Sequence, residues 1–210
     1  MVGYQGFGSF HSENVEVLIR QPDGKYKVPA LPVGPEASSL DELRDVEFGD
    51  PSRKLFLIDF AKWTFVNHGA FGGAMRIPFD VAHKWREHCE RQSLRFIDRE
   101  LFPLTVYALR KLAAVVHCEP TDIVFTPNAT HALNAIINSI ELNKGDKVYM
   151  LDIGYGSVKK MLTEACARSG AELVLGSVKF PLENGADDIV ELVRATLPAG
   201  AKLAIFDFIT

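Results

Sequence analysis

The passage most able to do chemistry runs from Ile123 to Ile137, IVFTPNATHALNAII. An extended apolar start, a polar turn at Thr126-Pro127-Asn128 and a helix opening at Ala129-Thr130 place unpaired backbone N–H groups at a helix N-terminus, an anion site. The hydroxyl of Thr130 can add a hydrogen bond to a phosphate oxygen. Plain helix capping by Asn128 or Thr130 accounts for the same residues, and the local pattern leaves both open. Farther on, Asp152-Ile153-Gly154-Tyr155-Gly156-Ser157 follows a second apolar run. Tyr155, between two glycines, is a ring that could stack on a flat heteroaromatic ligand, or pack on the rim of its own domain. FVNHGAFGG, residues 65–73, sets Asn67, His68 and Gly69 in a glycine-rich loop. His68 reads either as a site residue or as a hydrogen-bonded loop histidine.

Other reactive side chains point to less. Lys159 and Lys160 fall at the exposed start of a predicted helix, where a solvated face is expected rather than the apolar pocket that activates an amine. His83, His88 and Cys89 share one predicted helix, but His83 and His88 stand five apart and miss the i, i+4 spacing of a zinc pair. No metal site is predicted. GxGxxG, P-loop and G-x-S-x-G patterns are absent from the sequence.

These residues need a scaffold, and the hydrophobic pattern supplies one. Residues 1–54 read as an irregular extension, with Gly3, Gly6 and Gly8 among aromatics and prolines at 22, 29, 32 and 35. Strands are predicted at 55–59, 122–125, 147–151, 172–175 and 202–208. Helices are predicted at 76–91, 103–117, 130–140, 157–169 and 187–196, the first from Ile77, Val81 and Trp85 at four-residue intervals. Strands alternating with helices of ten or more residues imply right-handed crossovers and a mostly parallel sheet, an α/β fold. In such a sheet ligands bind beyond the carboxyl ends of the strands, so the turns at 126–130 and 152–157 should share one edge. A chain stopping at Ile209-Thr210, just after a central-strand pattern, reads as a fragment.

Composition sets bounds. Of 210 residues, 47% are hydrophobic and 24% charged, with a net charge of −4, which gives no basic footprint for nucleic acid. Cys89, Cys118 and Cys166 are odd in number and unpaired in pattern, which suits buried thiols in a reduced cytosolic protein. Neither a secretory leader pattern nor an apolar run of membrane-crossing length is present, so no membrane partner is expected.

Taken in order, FVNHGAFGG at 65–73, RFIDRELFP at 95–103 and the stretch from Pro127 to Leu173 resemble the class V aminotransferase family. The nearest likeness is to its isopenicillin N epimerase-like branch, through an N-A-T turn, an L-x-x-G-D-x-V turn and a D-x-x-Y-G-S-V loop. The resemblance covers roughly residues 55–210, the N-terminal part of a fold-type-I large domain that binds pyridoxal 5'-phosphate (PLP). It implies that Ala129 and Thr130 hold the cofactor phosphate, that Tyr155 stacks on the pyridine ring, and that Asn67, His68 and Gly69 line the substrate side. It implies a small amino-acid substrate joined to the cofactor through its amine, and a homodimer. Asp207, in IFDFIT, resembles the aspartate of a D-H-I-T-S segment, with Phe208 in place of the histidine. The aspartate facing the pyridinium and the Schiff-base lysine would then lie beyond Thr210, so no catalytic residue is assigned within the chain. Epimerisation, transamination and C–S cleavage share their first steps and are not separated. A non-catalytic product lacking the lysine, and a nucleotide-binding α/β domain, remain the rival readings.

Overall fold

The computed structural model describes residues 15–44 and 46–208, apart from the side chain of Glu42. The early glycines at 3, 6 and 8 and the Ile209-Thr210 end lie outside the described residues. The chain divides into two compact units, one ending at Val124 and one beginning at Phe125.

The first unit is helical. Short helices α1 (Val15–Ile19) and α2 (Ala37–Arg44) and a 3-10 helix (Asp50–Leu55) occupy the region expected to be irregular. Tertiary contacts order α1 where local propensity alone would not. Arg110 donates to the carbonyls of Ile19 and Gln21 at 3.0 and 2.8 Å, pairs with Asp23, and lies 4.3 Å from the centre of the Tyr26 ring. Helix α3 (Arg76–Arg91) has the bounds the apolar spacing predicts. It is followed by α4 (Ser93–Arg95), a π-helical turn (Phe96–Glu100) and α5 (Leu101–Val116), which buries Val106, Leu109 and Ala113. Pro103 sits in the first turn of α5, where its missing N–H costs nothing.

Two expected strands do not form. Leu55 closes the 3-10 helix that Pro51 initiates, and only Phe56 makes a bridge, antiparallel to Met75. Pro120–Asp122 is likewise a 3-10 turn. Ile123 is extended, but this segment has no ladder partner among the described residues, and an extended backbone without a hydrogen-bonded neighbour is not a strand.

The second unit is the α/β part. Helix α6 (Ala129–Ser139) leads to strand β1 (Lys147–Leu151), helix α7 (Gly156–Ser169), strand β2 (Glu172–Gly176), helix α8 (Ala186–Thr196) and strand β3 (Leu203–Ile205). The sheet is parallel with order β2-β1-β3, and its registers pair Tyr149 with Val174 and with Ala204. The expected strand at 202–208 shortens to three residues, because β1 runs only as far as Leu151 before it turns away. β1 is central and almost wholly buried, as its apolar run VYML requires. Ile137, Val148, Met150, Val158, Leu162, Ala165 and Cys166 make one core, each large side chain worth about 1.5–3 kcal/mol by burial. Gly170 ends α7 at φ 76°, a left-handed cap that a side chain would strain. No helix among the described residues is long and apolar enough to cross a membrane.

Candidate functional site

In the second unit the ligand-capable groups gather at one sheet edge. A parallel sheet puts the carboxyl ends of its strands on one side, and each antiparallel helix starts there. The loop after β1, the residues after β3 and the first turn of α6 therefore share that edge.

At α6, the side chain of Asn128 accepts from the His131 N–H at 2.8 Å, as the N-cap. Capping is thus observed, and it is not exclusive of anion binding. Among the described residues the N–H groups of Ala129 and Thr130 and the Thr130 hydroxyl have no acceptor or partner. Thr130 is exposed. Two open amides, one open hydroxyl and the positive end of an eleven-residue helix fit the oxygens of a phosphate monoester.

The loop after β1 is fixed on two sides by carboxylates. Asp152 accepts from the Val178 N–H at 2.9 Å and the Ser177 hydroxyl at 2.8 Å, tying the loop to the segment after β2. Those donors, the Val178 amide foremost and then Ser177, hold its carboxyl below the usual aspartate range, and Lys159 adds to the effect. Asp207 accepts from the Tyr155 N–H at 2.6 Å on the β3 side. Tyr155 is the N-cap residue of α7, its ring is 64% exposed, and no ring partner is recorded for it among the described residues. A buried rim tyrosine would show neither property. Sequence reasoning missed the roles of Asp152 and Asp207; the available signal was a carboxylate at each strand end beside a glycine loop.

In the first unit, Asn67, His68 and Gly69 stand together on a turn closed by the Phe71 N–H to the Asn67 carbonyl at 3.0 Å. His68 Nδ1 accepts from the Gly73 N–H at 3.3 Å, so a neutral ring carries its proton on Nε2. Phe65 meets that ring edge-on at 4.8 Å and Phe56 tilts against it at 5.5 Å. His68, Arg53, Phe56, Phe60, Trp63 and Phe65 line a cavity of about 280 Å³.

The lysines at 159 and 160 lie in the first turns of α7, Lys160 exposed and Lys159 half-buried. On α3, His88 binds Glu100 at 2.5 Å, and no group of metal-binding side chains occurs among the described residues. Cys166 is buried, and burial pushes its thiol pKa up; Cys89 and Cys118 are only half-buried, short of the expected burial.

The fold and site define a parallel α/β unit with unused donors at a helix start on its carboxyl edge. Solved structures carry the same fold: a C-DES mutant with glycine covalently linked to its PLP cofactor aligns with a TM-score of 0.60 at 18% identity, over 70% of this chain and 38% of that one. Residues 104–203 match the family model of class-V aminotransferases. A probable chloroplastic L-cysteine desulfhydrase of Arabidopsis thaliana is 30% identical over 166 residues, covering 72% of this chain and 34% of the relative. The isopenicillin N epimerase of Amycolatopsis lactamdurans is 25% identical over 150 residues, covering 70% and 37%. The chain thus spans about a third of the length of the curated relatives it matches.

Proposed function

We propose that the second unit holds PLP in an enzyme that acts on a small amino acid. The observation that carries this is the open first turn of α6, where Ala129 and Thr130 offer unused donors while Asn128 caps a third amide. When bound, PLP supplies an electron sink for a carbanion at the substrate α-carbon. The chain's own part is binding and orientation. Ala129 N–H, Thr130 N–H and Thr130 Oγ1 hold the phosphate. The exposed ring of Tyr155 covers one face of the pyridine. Asn67, His68 and Gly69 are assigned to the substrate side on the family resemblance, His68 with an Nε2–H available to a polar substrate group. The same resemblance supports a homodimer and a family-related region beginning near residue 55. The mild net charge and the lack of a leader pattern or membrane-length apolar run in the sequence support a cytosolic protein with no nucleic-acid or membrane partner.

Within this reading, C–S cleavage of a cysteine-like substrate is the favoured reaction, with epimerisation second. The support is the higher identity to the desulfhydrase, 30% against 25% for the epimerases. Sulfide release from L-cysteine, set against loss of optical activity at the α-carbon, separates the two.

The cofactor assignment is tested by titrating the chain with PLP and with pyridoxal, which lacks the phosphate. PLP is expected to bind at least about tenfold more tightly, from charge-assisted hydrogen bonds to the phosphate. Thr130→Val should narrow that gap. Equal affinity for the two compounds, or binding of neither, overturns the assignment.

A further inference from the structure

We infer that Asp207 is a positioning residue: its carboxylate fixes the backbone of Tyr155 and occupies the start of α7, leaving the start of α6 as the place for a phosphate. This rests on the function proposed above.

Three helices of eleven or more residues begin at the carboxyl edge of the sheet, α6, α7 and α8. Helix α8 carries Asp187 and Asp188 in its first turn, which leaves α6 and the fourteen-residue α7 as the ends that could take an anion by dipole and free amides alone. They differ in what faces them. Asp207 follows β3, which lies beside β1 with Met150 opposite Ile205, so the chain delivers its carboxylate next to the loop that β1 enters. Its Oδ2 accepts from the N–H of Tyr155, the N-cap of α7, at 2.6 Å. The α7 end already holds a carboxylate, and a second anion there would meet like charge. At α6, among the described residues, the side-chain acceptor bonded to the first-turn amides is the neutral amide oxygen of Asn128.

The space around Gly154 shows how closely this contact is built. A Cβ at Gly154 would lie 2.7 Å from Met150 Cε, 3.2 Å from Asp207 Oδ2 and 3.2 Å from the Leu151 carbonyl oxygen. The loop therefore lies against the carboxylate, with Asp152 securing its other side through Ser177 and Val178. Held on both sides by its backbone, Tyr155 keeps its ring exposed without needing side-chain packing. That suits a ring reserved for stacking on a ligand.

The test compares the 210-residue chain with Asp207→Ala and Asp207→Asn. Amide hydrogen exchange at Tyr155, read by NMR, should rise about tenfold in Asp207→Ala, with most protection restored in Asp207→Asn, which keeps an acceptor oxygen. Exchange at Leu162, in the core of α7, should stay as in the parent. Pyridoxal affinity should fall in Asp207→Ala, while affinity for inorganic phosphate should hold or rise. Unchanged Tyr155 exchange in Asp207→Ala overturns the inference. So does equal acceleration at Tyr155 and Leu162 in both variants, which would mark general loosening. Because exchange needs no cofactor, a parent chain that binds neither pyridoxal nor PLP would sink the proposed function and leave this inference to be decided by exchange alone.

Discussion

Replacing Gly154 with alanine tests how the fold holds Tyr155. The new methyl would stand 2.7 Å from Met150 Cε, inside the closest distance real Cβ atoms tolerate, and 3.2 Å from both Asp207 Oδ2 and the Leu151 oxygen. Met150 is 1% exposed and part of the central cluster, so its terminal methyl must move by repacking against buried neighbours rather than by turning out to solvent. Overpacking of this kind costs about 1–3 kcal/mol. Met150→Leu removes the offending Cε at little cost of its own, since volume-conserving apolar swaps cost under about 1.5 kcal/mol. The double variant should then be less destabilised than the sum of the singles, by about 0.5 kcal/mol or more. Ligand binding should behave differently. The tight 3.2 Å contacts with Asp207 and the Leu151 carbonyl remain in the double variant, so the loop still has to give by a few tenths of an ångström at Tyr155, and pyridoxal affinity stays about two- to tenfold low, the worth of one stacking contact. Urea denaturation followed by circular dichroism gives the stabilities, and pyridoxal titration gives the affinity. Strictly additive stabilities, or pyridoxal affinity restored in the double variant, would refute the placement of the loop against both Met150 and Asp207.

Three further outcomes are expected. Asn128→Ala removes the cap on His131 N–H and should cost about 1 kcal/mol in urea unfolding, with Asn128→Asp nearly neutral or stabilising in the absence of an anion. Ser177→Ala should raise the Asp152 pKa towards its ordinary value. Because the folded carboxyl lies below its unfolded pKa, its stabilising effect is complete above about pH 4 and lost as pH falls through the folded value. The parent should therefore outlast the variant at pH 7, with the difference closing in strong acid. Arg110→Met leaves the Ile19 and Gln21 carbonyls without their donor and should cost about 2 kcal/mol, with faster proteolytic cleavage near residues 19–26. Arg110→Lys should rescue little, since one ammonium cannot serve both carbonyls, Asp23 and the Tyr26 ring at once.

Much of this was legible in the residues. β1 and α3 have the expected bounds, because a four-residue apolar period marks a helix, while the short run VYML is marked as a strand by its length, its Val and Tyr, and the Lys144-Gly145-Asp146 turn before it. The segment at 122–125 shows what periodicity cannot see. DIVF has strand composition, but Val124 is 75% exposed and pairs with nothing described, and a strand is a property of two segments. At 55–59 the preceding Pro51 won, committing the backbone to a 3-10 helix through Leu55. The helix at 15–19 was hidden because its anchor, Arg110, lies about ninety residues away. The same limit applied to the site. Thr130 and Tyr155 could be named from local sequence, whereas the bond from Tyr155 to Asp207 spans fifty-two positions and needed the β1–β3 register.

The central claim is that a phosphate rests on the first turn of α6. Backbone amide shifts of the isotope-labelled chain, followed while PLP is added, test it residue by residue. The largest movements should fall on Ala129 and Thr130, inorganic phosphate should reproduce them, and pyridoxal should move Tyr155 without them. Shifts centred on Gly156 and Ser157 at the start of α7, or no movement at Ala129 and Thr130, would contradict it.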